Sequence, residues 1–427
     1  MIWLQIQLTT FIKYRTFPKY MKFSHLADCH IGSWREPRLR DISIRAFEKA
    51  IDISLSENVD FILISGDLFN TSMPAIDKLK ETVVKLKEIK DKGIPVYAIA
   101  GSHDYSPSGK TMLEVLEGAG LLVNVGKGEI IGSRLRLRFA VDKKTGVKIT
   151  GVLGKRAGLE KHDYSSLMKE ELERESGEKI FMFHSAVSEM MENDISFYSL
   201  PMDFFPKGFD YYAGGHVHIV KEKFVESYGR FAYPGPLFPN SFSEIEELGR
   251  GGFYIVEDFV PKWFPIEIFK TASMSINCND KTPKEAENEI LANIAERDFA
   301  NTIVTIRLDG VLSSGKSSDI DMQGIFSKLY LQGAYFVMKN THALSSKEFE
   351  RVEVTANSAK GIEDELIRKH LGQIKIAGFD ENKEEELVKR LMEILNKEKD
   401  EGERIVDFES RLRDEIERMI DFALMHN

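Results

Sequence analysis

The sequence predicts a layered α/β fold, followed by a smaller α/β unit and terminal helices. Three observations carry this expectation. Apolar β-rich runs alternate with amphipathic stretches in the βαβ order of a layered domain. Five of those runs end in polar, metal-competent groups where packing would prefer apolar residues. From Phe264 the pattern changes to a shorter alternation and then to helical stripes in a Glu/Lys-rich background.

The first run, Lys22-Phe-Ser-His-Leu-Ala-Asp28-Cys29-His30-Ile-Gly32, stops at an Asp and a His one residue apart. Successive strand side chains point to opposite faces, so Asp28 and His30 are expected on one side and Cys29 on the other. A carboxylate oxygen beside an imidazole nitrogen suits a divalent metal. Residues 39–57 carry Ile42, Ile44, Phe47, Ile51 and Leu55 at helical spacing, and Phe61-Ile-Leu-Ile-Ser-Gly66-Asp67 reads as a buried strand ending in Asp. Residues 74–92 form a second amphipathic helix. The third strand, Pro95-Val-Tyr-Ala-Ile-Ala100, runs into Gly101-Ser102-His103-Asp104. Loops at strand carboxyl ends are where open α/β sheets place their sites.

Short strands and turns are expected between about 120 and 180. There Arg134, Arg136 and Arg138 alternate with apolar residues, which favours a solvated cationic face over a contact with a phosphate backbone. Two further strand ends follow, Ile180-Phe-Met-Phe-His184 and Phe209-Asp-Tyr-Tyr-Ala-Gly-Gly215-His216-Val-His218. The set Asp28/His30, Asp67, Ser102/His103, His184 and His216/His218 therefore forms one candidate site. His25, His162, His342, His370 and His426 are assigned to ordinary core or surface roles.

A chain of 427 residues exceeds one ordinary core, so two or three domains are expected. Its net charge of -10 excludes a generally basic nucleic-acid coat and confines any phosphate-binding surface to a local patch. Only Cys29 and Cys278 are present, which fits a reducing cytoplasm without a disulfide framework. Residues 1–20 fit neither a secretory signal nor a membrane span, and the natural chain is expected to begin at Met21.

The order D-x-H, G-D-x-F, G-x-H-D, H, G-H-x-H resembles the calcineurin-like metallophosphoesterase superfamily. Through SGDLFN, AGSHD, PKGFDYYAGGHVH and YPGP the chain is more closely similar to the SbcD nucleases and the meiotic-recombination-eleven family of double-strand-break repair. The resemblance is strong over 21–265. It implies an αββα sandwich there, a small α/β capping domain at 266–350, and a linker with partner-binding helices at 351–427, with 1–20 as an extension.

The resemblance also implies two manganese ions, with magnesium, iron or zinc as alternatives. Asp28, His30 and His218 would hold one metal, His184 and His216 the other, and Asp67 would bridge them. His103 is left for transition-state stabilisation or protonation of the leaving oxygen. Ser102 stands where the superfamily usually has Asn, a poorer ligand that points to a weak second site. Asn70 stands where some relatives carry a histidine thought to help place DNA.

The implied activity is a manganese-dependent DNA nuclease, a 3′ to 5′ exonuclease and single-strand endonuclease acting on double-strand breaks with an SbcC-type ATPase. The alternatives are a phosphomonoesterase or protein phosphatase of the same superfamily, or a non-catalytic scaffold. The resemblance further implies a homodimer through helices that follow the second and third motifs. Met112, Leu113, Val115, Leu116 and Leu121 are the apolar candidates at 110–121, with Leu116 the residue at which a charge is expected to break the pair.

In the carboxyl-terminal part a helix is expected at 283–297, a strand at 302–308, a helix near 319–332 and a strand at 334–339. Gly310-Val-Leu-Ser-Ser-Gly315-Lys316-Ser317 has P-loop spacing, but the Ser-Asp-Ile-Asp run beyond it favours an ordinary loop. Residues 341–363 read as a polar linker. Beyond them, Leu387, Leu391 and Leu395, then Phe408, Leu412, Ile416, Met419 and Ala423, mark two amphipathic helices expected to grip the ATPase, with folding back on the cap as the other reading.

Overall fold

Strands that are apolar at every position need cover on both faces. In the computed structural model, which describes residues 20–106, 111–191, 199–295, 297–347, 381–397, 399 and 405–425, two packed sheets provide it. The first half alternates as β1 (Lys22–Leu26), α1 (Pro37–Ser56), β2 (Phe61–Ser65), α2 (Ile76–Asp91), β3 (Val96–Ile99), α3 (Met112–Gly118) and β4 (Val123–Asn124). A small hairpin, β5 (Gly128–Ile131) and β6 (Arg134–Leu137), precedes β7 (Ala140–Val141) and β8 (Lys148–Val152). Two short helices, α4 (Lys161–Ser166) and α5 (Lys169–Arg174), lead to β9 (Lys179–His184). Then follow β10 (Tyr211–Gly215), β11 (Val220–Val225), β12 (Gly229–Pro234), α6 (Phe242–Leu248), β13 (Gly251–Glu257) and β14 (Val260–Ile266).

One six-stranded sheet has the order β14-β13-β1-β2-β3-β4 and the other β11-β12-β10-β9-β8-β7. The period of two assigns each residue to a layer. Phe61 and Leu63 of β2 join Ile180 and Met182 of β9, with Tyr211 and Ala213 of β10, in the core between the sheets. Ile62 and Ile64 point outward onto α1 and α2, whose Phe47, Ile51, Leu86 and Ile89 are fully buried there. Phe181, Phe183 and Tyr212 instead face an aromatic cluster on the outer side of the second sheet. This is an αββα sandwich.

Because β1, β2 and β3 run parallel in one sheet and β8, β9, β10 and β12 run parallel in the other, carboxyl ends collect along each. The three arginines of the β5–β6 region are paired with carboxylates: Arg134 with Glu170 at 2.8 Å, Arg136 with Glu171 at 2.7 Å and Arg138 with Glu129 at 2.9 Å. The solvated-face reading holds.

Two helical details depart from expectation. Leu113 and Leu116 of α3 are buried in the core beneath α1 and α2, at 0% and 1% exposure, whereas Val115 is 59% exposed. A charge at Leu116 therefore attacks the core of one chain, and Val115 is the outward residue. On α2 and the turn before it, Met73, Ile76 and Val84 are also exposed.

The described residues separate into two compact units. One holds the residues up to Ser275, the stretch ending at Arg307 and Phe326–Asn340; the other holds Ile276–Ala295, Leu308–Ile325 and the residues from Thr341 onward. Beyond the sandwich, β15 (Lys270–Asn277), β16 (Thr302–Leu312) and β17 (Phe336–Ser346) form a three-stranded sheet in that order, with α7 (Pro283–Ile294) and α8 (Met322–Leu331) between them in sequence. The strand expected to stop at 308 continues through Gly310, whose φ of 97° and the Val311 N–H bond to Asn279 Oδ1 at 2.8 Å carry the ladder past two residues that disfavour strands.

That extension removes the P-loop. Gly310 to Leu312 lie in β16, and Gly315-Lys316-Ser317 enters only a single 3₁₀ turn, Ser317–Asp319, closed by the Lys316 N–H on Asp319 Oδ2 at 2.8 Å. No α-helix starts at that Gly-Lys-Ser to cradle a phosphate. The last elements are α9 (Glu381–Leu395) and α10 (Ile405–Met425), which contact each other and are joined by Lys397 and Glu415 at 2.7 Å. The linker expected at 341–363 is strand as far as Ser346, where β17 ends, because its polar residues extend the β16 pairing; its part beyond Lys347 lies outside the described residues, as do residues 1–19, His370 and His426.

Candidate metal centre

The candidate donors stand just past the strands, in loops. Strand β1 ends at Leu26 and β10 at Gly215, so the expected alternation along a strand is not what aligns Asp28 with His30 or His216 with His218. Left-handed backbone does so instead. Positive φ occurs at Asp28 (50°), His30 (41°), Asp67 (51°), His216 (95°) and His218 (53°), conformations that cost about 1 to 3 kcal/mol each for residues with a Cβ. Such strain persists where surrounding bonds over-determine it. His30 N donates to the Asp67 carbonyl at 2.9 Å, Asp28 N to the Gly66 carbonyl at 3.2 Å, and His216 N to both Asp28 oxygens at 3.0 and 3.1 Å.

Glycine makes the approach possible. A Cβ on Gly66 would come within 2.2 Å of His184 Nδ1, and one on Gly101 within 2.2 Å of Asp67 Oδ1. The second of these explains how the third motif closes on the second: with Gly101 bare, His103 N donates to Asp67 Oδ1 at 2.7 Å.

The donor atoms converge. Three overlapping groups, Asp28/His30/His218, His30/Asp67/His103 and Asp28/Asp67/His184, each keep their donor atoms within 4.8 Å of one another. His30 Nε2 and His218 Nε2 are 3.0 Å apart, the separation of neighbouring ligands about 2.1 Å from one cation. Asp67 Oδ2 lies 3.6 Å from His30 Nε2 and 3.1 Å from His184 Nε2, between the two halves of the cluster. His184 Nε2 is buried and close to that carboxylate without the alignment of a hydrogen bond, while His184 Nδ1 donates to the Ser65 carbonyl at 2.8 Å. The oxygens of Asp28 and Asp67 with the nitrogens of His30, His184 and His218 thus make a carboxylate and imidazole donor set of the kind that a divalent transition metal takes.

Ser102 Oγ sits 3.4 Å from Asp67 Oδ2. His216 stacks edge-on with His184, ring centroids 5.1 Å apart, and falls outside the three tight groups. His103 is exposed, donates from Nδ1 to the Asn70 carbonyl at 2.8 Å, and packs edge-on against His30. His25 is a core residue, its Nδ1 3.0 Å from the Tyr211 hydroxyl.

The charge balance fits the same reading. Burial lowers His30 to about 3 and His216 to about 4, so both present neutral imidazoles, the form that binds a metal. Burial works against charge on His184 too, but the adjacent Asp67 carboxylate overrides it and raises His184 to about 10. Asp67, despite its burial, is held below the usual carboxylate range by His184.

Two groups that motif reasoning left without a role belong to the site. Asp104 is buried and accepts from the backbone N–H of Leu68, Phe69 and Gly101 at 3.0 to 3.1 Å, tying the second loop to the third. Burial and the Asp67 charge raise it to about 7. Its only sequence signal is its place directly after His103. Glu244 lies 3.1 Å from His218 Nδ1, and a Ser241-to-Glu244 helix cap is the one local hint of it.

Comparisons with known proteins agree with this geometry. The calcineurin-like phosphoesterase family matches residues 21–220. The DNA double-strand break repair protein Mre11 of Saccharolobus solfataricus is 31% identical over 310 residues, 69% of this chain and 71% of that one. The protein of the same name from Archaeoglobus fulgidus is 28% identical over 81% of this chain and 79% of its own length. That of Aeropyrum pernix is 26% identical over 82% and 80%. A solved structure described as a novel archaeal phosphodiesterase aligns over 58% of this chain at 14% identity, with a TM-score of 0.28 too low to bear on the reading. By identity sustained over most of both chains, with a phosphoesterase match on the sandwich that carries the donor cluster, this chain belongs to the Mre11 family and is a phosphodiesterase of the metallophosphoesterase class.

Proposed function

We propose that the chain is a manganese-dependent nuclease that processes DNA double-strand breaks. The observation that carries this is Asp67, whose Oδ2 stands between the His30 and His184 nitrogens. Asp28, His30 and His218 would hold one ion, His184 and His216 the other with Ser102 beside it, and Asp67 would bridge. Two such dications, when bound, polarise a phosphodiester and acidify water. The chain's own part is to hold the donors in strained loops and to keep His103 exposed at the edge of the cluster, with Nδ1 committed to Asn70, as the group that supplies a proton to the leaving oxygen. Magnesium, iron and zinc are the alternatives, since carboxylate and imidazole donors do not by themselves choose among these ions.

The reading extends to partners: a second copy of the chain, an SbcC-type coiled-coil ATPase held by α9 and α10, and a cytoplasmic setting. No described helix is long and apolar enough to cross a membrane. The test is an assay of labelled single-stranded and duplex DNA beside a chromogenic phosphomonoester, with manganese and with chelator. Manganese-dependent DNA cleavage is expected. Turnover of the monoester alone would favour a phosphatase, and no turnover of any substrate by a metal-loaded protein would favour a scaffold.

A further inference from the structure

Glu244 touches the metal cluster from behind. Its Oε1 is 3.1 Å from His218 Nδ1, while His218 Nε2 faces His30 and Asp28 at 3.0 and 3.7 Å. A carboxylate on Nδ1 fixes the imidazole proton there and leaves the Nε2 lone pair for a metal. The carboxylate is itself fixed. Its Oε2 accepts the Asn240 N–H at 2.8 Å, and the Glu244 N–H donates to Oγ of the capping Ser241 at 3.2 Å, so both its backbone and its side chain are tied to the start of α6.

The turn carrying Glu244 is gripped from β16. The Arg307 guanidinium makes a two-pronged ion pair with Glu246, reaches Ser243 Oγ at 3.4 Å and lies over the Phe242 ring at 5.3 Å. Those contacts flank Glu244 on both sides, and both members of the ion pair are partly buried. A planar guanidinium held in this way fixes orientation as well as distance.

We propose that Glu244 is a positioning residue for His218, and that Arg307, by clamping the first turn of α6, couples strand β16 to the metal centre. The inference rests on the two-metal reading above. The test is titration of the full chain with manganese, followed by paramagnetic resonance of the free ion. Glu244→Ala is expected to weaken one of two sites by about 10- to 100-fold, the usual scale for losing the partner of a ligating histidine. Glu244→Gln, which keeps an acceptor oxygen, should recover most of the loss. Arg307→Ala should weaken the same site less, and adding it to Glu244→Ala should change nothing further, since the clamp acts through Glu244.

Glu244→Ala with wild-type affinity at both sites would overturn the proposal. Losses that add in the double variant would overturn the Arg307 part. If Glu244→Ala does not fold, Glu244→Asp decides: it keeps the charge but withdraws the oxygen from Nδ1, so it should weaken the same site, and unchanged affinity would refute the positioning role. A wild-type chain that binds no manganese would overturn the metal reading itself, and this inference with it.

Discussion

His103 is exposed, with one ring nitrogen already committed to the Asn70 carbonyl. His103→Ala is expected to leave manganese binding and thermal melting unchanged while DNA hydrolysis falls by about 10² to 10⁴. Normal hydrolysis in a fully metallated variant would remove the proton-donor role. Ser102→Asn places an amide oxygen where a hydroxyl stands near Asp67, and half-maximal activity should shift to lower manganese. An unchanged or weaker manganese response would mean that serine, or a water beside it, already serves. His25 has no part in the chemistry, yet it sets a pH dependence of stability. Burial lowers it to about 3 in the folded chain, against an ordinary value of 6.5. The unfolded state therefore binds the proton more readily between those limits, and stability is lost as pH falls from 6.5 toward 3, at up to about 1.4 kcal/mol per pH unit. Denaturant unfolding of His25→Gln, which does not titrate, should fall less steeply between pH 7 and 4; equal slopes would refute the assignment.

At the level of elements, the strand ends were the readable part and the loops were not. Parallel strands β1, β2, β3, β9 and β10 were visible as apolar runs because each must be covered on two faces. The alignment of their terminal donors was not, because left-handed backbone at Asp28, His30, Asp67, His216 and His218 leaves no periodic trace. The terminal helices show the opposite case. Leu387 and Leu391, like Phe408, Leu412, Ile416 and Met419, are only half-buried although α9 and α10 contact each other. Removal of 381–427 should abolish binding to an SbcC-type ATPase while nuclease activity on short single strands persists, since none of the described residues there belongs to the donor groups. Pull-down of the ATPase by the truncated chain would place the contact elsewhere.

For the molecule as a whole, the exposed apolar residues Met73, Ile76, Val84 and Val115 bear on self-association. A two-fold pair needs one self-complementary patch, and outward apolar side chains on short helices can provide it. Val115→Glu should convert a dimer to a monomer in sedimentation, with melting temperature little changed, because the charge enters only the interface. Leu116→Asp should instead lower the melting temperature sharply, because Leu116 is 1% exposed within one chain. A monomeric wild type at micromolar concentration, or a dimeric Val115→Glu, would refute the pairing.

The sequence by itself determined the βαβ order, the five strand-end clusters and the helical stripes, because each follows from spacing within a few residues. It also pointed to a solvated arginine face and against a P-loop, through alternation and local charge alone. Tertiary structure decided what spacing cannot carry. It buried Leu116 and turned Val115 outward, drew β16 past Gly310, and brought Asp104 and Glu244 onto the donor cluster. Glu244 is 26 residues from His218 in the chain and 3.1 Å from it in space, a closeness created by the packing of α6 and by the Arg307 clamp. Local periodicity fixes which face a residue occupies, but only the folded sheets fix which residues of distant segments meet.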